Sequence, residues 1–198
     1  MNNSNYITQN DLLLKNLITF YKIEDFDGIY NPNNNLDKML KIITGDSKIS
    51  LRIVDWFATN YAKKYYTLYV IEGTVDNITR RFKVYDDYKL KLKAYSKKRF
   101  DPFCRWDRIS IPYKNEKFIE TTIGQLNFFK WALENKVVDY IEQNYNEIEK
   151  DMNNRNSTSK RKETLLDNSK TRKKREELSI SATKSIKKEK VEIVVQFN

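Results

Sequence analysis

The chain of 198 residues contains no histidine and a single cysteine, Cys104. These absences exclude His-based catalytic triads, histidine general bases, Cys/His zinc sites and disulfide scaffolds. Only 4 glycines and 3 prolines are present, so the glycine-rich loops that cradle nucleotide phosphates are excluded as well. The composition thus argues against several common kinds of catalytic site, and the sequence predicts neither a cofactor nor a bound metal ion.

Long hydrophobic runs are also missing. No apolar stretch approaches the roughly 18 residues that a membrane span requires. The first residues, Met1–Ser4, are polar and do not open a secretory signal. We therefore expect no membrane partner.

Positive charge is abundant, and its distribution is uneven. The formal net charge is +10, but residues 80–117 carry +8 and residues 151–198 carry +6, whereas residues 1–79 and 118–150 carry −1 and −3. Cations that gather in two blocks favour a polyanionic partner over simple solubility.

Hydrophobic periodicity predicts the fold class. Apolar residues recur at helical spacing after the candidate N-caps Asn10, Ser50 and Thr122, and a short helix ends at Gly45. Short β-rich segments at 67–71, 81–84, 108–111 and 118–121 predict two antiparallel pairs. The sequence therefore predicts a compact α+β domain of several helices with short antiparallel strands, followed by a basic C-terminal tail.

The segment Tyr85–Lys98 is ambiguous. Its apolar residues alternate with lysines, as in a strand, but Tyr85, Tyr88, Leu92 and Tyr95 also follow helical steps. We favour a helix, because 14 residues without glycine or proline are long for a strand.

Four regions are predicted along the chain. Residues 1–9 form a flexible N-terminus and residues 10–152 form the α+β domain. Apolar content then falls, so residues 153–189 are predicted to be a basic disordered linker. Residues 190–198 regain the alternation of a strand, which can dock on the domain or extend the sheet of a partner.

The first basic block interleaves cations with aromatic residues. Cations attract phosphates and release counterions, and exposed rings can stack on bases. The predicted nucleic-acid-binding residues are Lys89, Lys91, Lys93, Lys97, Lys98, Arg99, Arg105 and Arg108. The alternative is a solvated helix face, on which lysine side chains lie over buried rings.

The tail carries a second candidate site. Lys160 and Arg161 are separated by ten residues from a second cluster, formed by Arg172, Lys173, Lys174 and Arg175. This spacing is typical of a bipartite nuclear import signal that two acidic pockets of a carrier recognise. The same residues could instead follow a phosphate backbone, or they could simply form a solvated tail.

Catalytic residues are harder to find. A metal-dependent nuclease could use acids such as Asp101, Asp107, Glu116 and Glu120, but these do not form a spaced signature. We interpret them as surface acids. We interpret Cys104, which lies between Phe103 and Trp106, as a packing residue rather than a nucleophile.

Three segments resemble uncharacterised proteins of nucleocytoplasmic large DNA viruses, the giant viruses: Ser50–Tyr61, Leu92–Cys104 and Thr122–Ala132. The resemblance covers roughly residues 45–150 and the final strand. It implies a viral origin and a role in virus particles, replication or late expression. It carries no activity and no functional residue with it.

These observations predict a non-enzymatic viral protein, either an accessory protein or a virion-associated one. It would bind the phosphate backbone of nucleic acid through the basic and aromatic surface and the tail, and we favour DNA over RNA. The alternatives are a structural virion scaffold, which would have capsid or core proteins as partners, and the metal-dependent nuclease. The predicted location is the host nucleus, the cytoplasmic virus factory or the virion.

Overall fold

A computed structural model describes residues 8–21, 35–72, 79–113, 117–165 and 188–190. The helices are α1 (Gln9–Tyr21), α2 (Asn35–Thr44), α3 (Leu51–Trp56), α4 (Ala62–Lys64), α5 (Val84–Arg99), α6 (Ile123–Glu134), α7 (Val137–Gln143) and α8 (Tyr145–Leu165). A π-helical segment, Phe57–Tyr61, joins α3 to α4, and we call it the π turn. The strands are β1 (Leu68–Glu72), β2 (Thr79–Lys83), β3 (Arg108–Tyr113), β4 (Lys117–Thr122) and β5 (Lys188–Lys190).

The strands form two small antiparallel sheets. β1 pairs with β2, with Tyr69 opposite Phe82. In the second sheet β4 lies between β3 and β5, with Ile119 opposite both Ile111 and Lys188. The α+β class is confirmed. β5 begins in the predicted linker and shares only Lys190 with the predicted terminal strand; residues 191–198 lie outside the described part of the chain, so that strand stays a prediction.

Local capping explains where several helices begin and end. Ser50 accepts the amide of Ile53 and Thr122 accepts that of Gln125, as predicted, while Gly45 adopts a φ of 85° just after α2. The predicted cap of α1, Asn10, is wrong. Thr8 caps this helix instead, because its hydroxyl accepts the amide of Asp11 and the Asp11 carboxylate accepts the amide of Thr8 in return.

The ambiguous lysine-rich segment is a helix, α5, as we favoured. Tyr88 is buried, and Tyr85, Leu92 and Tyr95 pack against the core on the same side. Near its C-terminus the helix is interrupted at Ser96, whose φ of 60° and ψ of 167° lie outside the helical region. This conformation is essentially restricted to glycine, so a serine there is strained.

An aromatic cluster around Trp131 joins the middle of the chain to α6. Its ring lies within 6.4 Å, centroid to centroid, of four others: Phe82, Tyr88, Phe100 and Phe128. Its indole N–H donates to Asp87 on α5 at 2.6 Å. The Trp131 side chain of α6 therefore contacts both strand β2 and helix α5.

Buried polar groups fasten the turn that follows α5. Gln125 is fully buried; its amide nitrogen donates to the carbonyl of Pro102 at 3.1 Å, and its oxygen accepts the hydroxyl of Thr121. Asn127 donates to the carbonyl of Arg99 at 2.8 Å. These bonds satisfy backbone groups that would otherwise be buried without partners, and they fix the turn against α6.

The predicted linker begins too early. α8 continues through residue 152 to Leu165, so the first part of the 153–189 segment is helical. A fall in apolar content does not by itself break a helix. No glycine or proline follows Gly124 in the sequence, and the charged residues there are adequate helix formers.

The strain at Ser96 gives a first prediction. Replacing Ser96 by glycine should raise the free energy of unfolding by about 1 kcal/mol, because glycine adopts this conformation without the Cβ clash. Ser96→Ala, which removes the hydroxyl but keeps Cβ, is the matched control and should not stabilise. Urea denaturation measures both variants, and equal stabilities for the two would contradict the assignment of strain.

Candidate nucleic-acid interface

Two of the predicted nucleic-acid-binding residues lie on the outer face of α5. Lys89 and Lys93 are exposed one helical turn apart, on either side of Leu90, which is 65% exposed. Together with Asp86 they line a shallow depression of about 550 Å³. Within the described part of the chain no carboxylate lies within 4 Å of either ammonium group. The neighbouring acid, Asp86, pairs with Lys83 at 3.9 Å. We call Lys89, Leu90 and Lys93 the α5 face.

Two other predicted cations are paired with carboxylates. Lys98 contacts Asp107 at 2.9 Å, and Arg108 contacts Glu120 at 2.9 Å across the β3–β4 pair. Exposed pairs of this kind contribute little to stability, but they reduce the charge that a phosphate would encounter. The predicted set is therefore divided between unpaired and neutralised cations.

Lys97 interacts electrostatically with two acidic side chains, Asp55 and Asp101. The pKa of Asp55 is raised to about 6, because burial and then the charge of Asp101 raise it more than the charge of Lys97 lowers it. Burial likewise raises the pKa of Asp101, although the amide of Phe103, which donates to its carboxylate at 2.8 Å, and Lys97 oppose that shift. The charge of Lys97 thus acts on two carboxylates of the same protein.

The remaining predicted cations differ in exposure. Lys91 and Arg99 are half-buried, whereas Arg105 is exposed next to Trp106, whose side chain is 71% exposed. An exposed indole beside a guanidinium suits stacking on a base. The structure does not bring all eight predicted residues onto one face.

The acids considered for a nuclease are dispersed. Asp107 and Glu120 are occupied by Lys98 and Arg108, and Glu116 lies outside the described residues. In the described ranges, no three acidic or cysteine side chains come together as metal ligands. Cys104 is buried as predicted, and Gly124 packs so closely against it that an added Cβ would lie 2.8 Å from the Cβ of Cys104.

The tail clusters are only partly described. Lys160 and Arg161 belong to the C-terminal part of α8 rather than to an extended linker, which corrects their predicted setting. Arg172, Lys173, Lys174 and Arg175 lie outside the described residues, so the import signal stays a prediction. None of the described helices is long and apolar enough to cross a membrane.

A groove that the sequence did not predict lies between the π turn and α8. Its tyrosines include Tyr65. The helical spacing of apolar residues from Leu51 onward predicts that Tyr65 lies on the core face together with Tyr61. In the structure Tyr61 is buried, but Tyr65 is 51% exposed. Tyr65 is the C-cap residue of α4, so it lies at the end of the helix, where periodicity no longer sets the face that a side chain occupies. Before it, the π turn inserts one residue, because the amide of Ala62 donates to the carbonyl of Phe57, five residues back. Sequence periodicity alone gives no signal for that insertion.

Comparison with known proteins identifies the family. A model described as "Family of unknown function (DUF7197)" matches residues 4–198. The chain belongs to this family. It is also 47% identical over 132 residues to a protein of Acanthamoeba polyphaga mimivirus named "Uncharacterized protein L507".

That match covers 63% of this chain and 49% of the mimivirus protein, so the chain spans about half the length of its relative. The resemblance to uncharacterised giant-virus proteins is thereby confirmed. No solved structure matches this DUF7197 protein.

The environment of Asp55 gives a prediction about pH. The pKa of Asp55 is raised from 3.8 to about 6. Between these two pH values the folded protein therefore keeps a proton on Asp55 that the unfolded chain releases. The stability from this proton is complete below pH 3.8 and is lost as the pH rises through about 6. Asp55→Asn should therefore gain stability relative to the wild type on going from acidic to neutral pH.

Urea denaturation across this pH range measures the difference between the two proteins. Asp107→Asn is the control, because the carboxylate of Asp107 is exposed and paired with Lys98; it should show no such gain. Stability curves of Asp55→Asn and the wild type that run parallel would contradict the raised pKa.

Proposed function

We propose that this DUF7197 protein is a non-enzymatic viral nucleic-acid-binding protein, with an accessory or virion-associated role. The observation that carries the proposal is the α5 face, where two exposed lysines one turn apart have no carboxylate within salt-bridge distance among the described residues. A helix with adjacent cations can neutralise neighbouring phosphates of a nucleic-acid backbone.

Binding independent of base sequence fits this surface best. Lysine recognises phosphate as a point charge and carries little information about base identity. Arg105 and the exposed ring of Trp106 are available for further backbone and stacking contacts. Lys98 and Arg108 are expected to contribute less, because Asp107 and Glu120 already neutralise them.

The scaffold function has one observation in its favour. On the outer face of β1, Leu68 is 48% exposed and Val70 is 57% exposed. Opposite them lie Lys83 and Arg81, so the hairpin presents apolar and cationic side chains together. Such a face suits contact with an acidic capsid or core protein, and protein binding without nucleic-acid binding would favour this second candidate.

Charge neutralisation on the α5 face tests the proposal. Lys89→Gln/Lys93→Gln should weaken binding to DNA and lower the slope of log affinity against log salt by about 2. The matched control is Lys98→Gln/Arg108→Gln, which removes the same charge from paired cations and should have a smaller effect. Fluorescence anisotropy between about 50 and 200 mM salt measures both.

Two outcomes would contradict different parts of the proposal. Equal losses in the two double variants would show that the α5 face has no special role. Absence of DNA and RNA binding by the wild type at low salt would remove the proposed function itself.

Nuclear import through the tail is a separate proposal. A tandem fluorescent-protein fusion of the full chain should accumulate in the nucleus, and replacing Arg172, Lys173, Lys174 and Arg175 by glutamine should abolish that accumulation. The control replaces three other tail lysines outside β5, namely Lys170, Lys184 and Lys187. Microscopy of transfected cells measures the distribution, and a nuclear fraction unchanged by the first variant would overturn the import signal.

A further inference from the structure

The groove between the π turn and α8 contains a strained and exposed tyrosine. Tyr66 is 89% exposed, and its φ of 49° lies in the left-handed region. It follows the end of α4, where the amide of Thr67 donates to the carbonyl of Ala62 at 3.1 Å, the bond that closes a helix of the Schellman type. Glycine is the usual residue at this position, since it avoids the Cβ penalty.

Neither burial nor backbone preference therefore accounts for a tyrosine at position 66. A ring that is almost fully in water contributes little to the hydrophobic core, and the left-handed conformation costs free energy for any side chain with a Cβ. Residues that persist in such conformations cluster at ligand sites. The location of Tyr66 in a groove of about 860 Å³ points the same way.

Other tyrosines extend the aromatic surface of this groove. The ring of Tyr65, half exposed, lies 4.5 Å from that of Tyr61, centroid to centroid. Tyr140 also lines the groove and is held by stacking on Tyr69 at 4.9 Å. Flat rings on rigid supports are the platform on which unstacked bases bind.

The α8 side of the groove carries the charges. Asp151 accepts hydrogen bonds from Lys64, from the Tyr65 hydroxyl at 3.2 Å and from the Trp56 indole at 3.1 Å. Burial would raise the pKa of Asp151, but these donors hold it below its usual value. The Asp151 carboxylate is thus already occupied, whereas Lys150 is exposed along the same side.

From this arrangement we propose that the groove binds single-stranded nucleic acid, with a base stacked on Tyr66 and a phosphate near Lys150. The inference rests on the proposed nucleic-acid-binding function and adds a site and a ligand class to it. A duplex keeps its base faces stacked inside, so only a strand with exposed bases can use these rings. Lys63, whose ammonium lies 5.5 Å from the Tyr85 ring, places α4 beside α5.

Replacement of Tyr66 tests the site. Tyr66→Gly should weaken binding of an oligothymidylate of about 20 nucleotides by about tenfold, while leaving duplex binding unchanged. The same variant should melt at the same temperature as the wild type or higher, because glycine relieves the left-handed strain. Tyr66→Trp keeps an aromatic ring and should retain binding.

A direct contact measurement accompanies the affinities. The indole of Tyr66→Trp should show fluorescence quenching on addition of the oligothymidylate, beyond the quenching of the three native tryptophans in the wild type. Unchanged affinity of Tyr66→Gly, or no additional quenching in Tyr66→Trp, would overturn the groove assignment.

Failure of this inference is distinguishable from failure of the proposed function. If Lys89→Gln/Lys93→Gln weakens binding and Tyr66→Gly does not, the protein binds nucleic acid but the groove does not. If the wild type binds neither the oligothymidylate nor the duplex at low salt, both proposals fall.

Discussion

The contacts of one buried indole hold the middle of the molecule together. Trp131 packs against rings from β2, from α5 and from the turn after it, while its N–H is bonded to Asp87. These elements follow one another along the chain, and the β3–β4 hairpin separates them from α6, so Trp131 is a long-range contact that helps to fix α5 on the domain. The outward direction of Lys89 and Lys93 follows from it, since a helix whose tyrosines are fixed inward must present its other face to solvent.

The second constraint is the distribution of carboxylates around the basic block. In sequence the lysines and arginines of residues 80–117 form one positive segment. In space, Glu120 crosses to Arg108 from the neighbouring strand and Asp107 folds back onto Lys98. A surface for a polyanion is defined by the cations that remain after such pairing, which makes a smaller site than the sequence indicates.

Much of the fold was predictable because its signals are local. The Ser50 and Thr122 caps, the glycine stop at Gly45 and the helical spacing of Tyr88 and Leu92 each act within a few residues. The Thr8 cap was missed because Asn10 is an equally good capping residue by type. The length of α8 was not predicted, because its C-terminal part has the low apolar content of a disordered segment. The absence of glycine and proline there, which permits a helix, does not by itself predict one.

The candidate sites were less predictable because they depend on distant partners. The tyrosine groove requires α4 to end at Tyr65 and α8 to lie alongside, and neither feature leaves a periodic trace in the sequence. The neutralisation of Lys98 requires knowledge of the turn that carries Asp107. An aromatic residue that periodicity assigns to a core face becomes a surface residue where its helix ends, as Tyr65 does.

The joint at Cys104 and Gly124 has a practical consequence. The thiol of the only cysteine in the chain is shut between the backbone of Lys98 and the start of α6. Alkylating reagents cannot approach it unless the 100–104 turn separates from that helix. The rate at which Cys104 is alkylated therefore measures how often this turn opens, without any label having to be introduced.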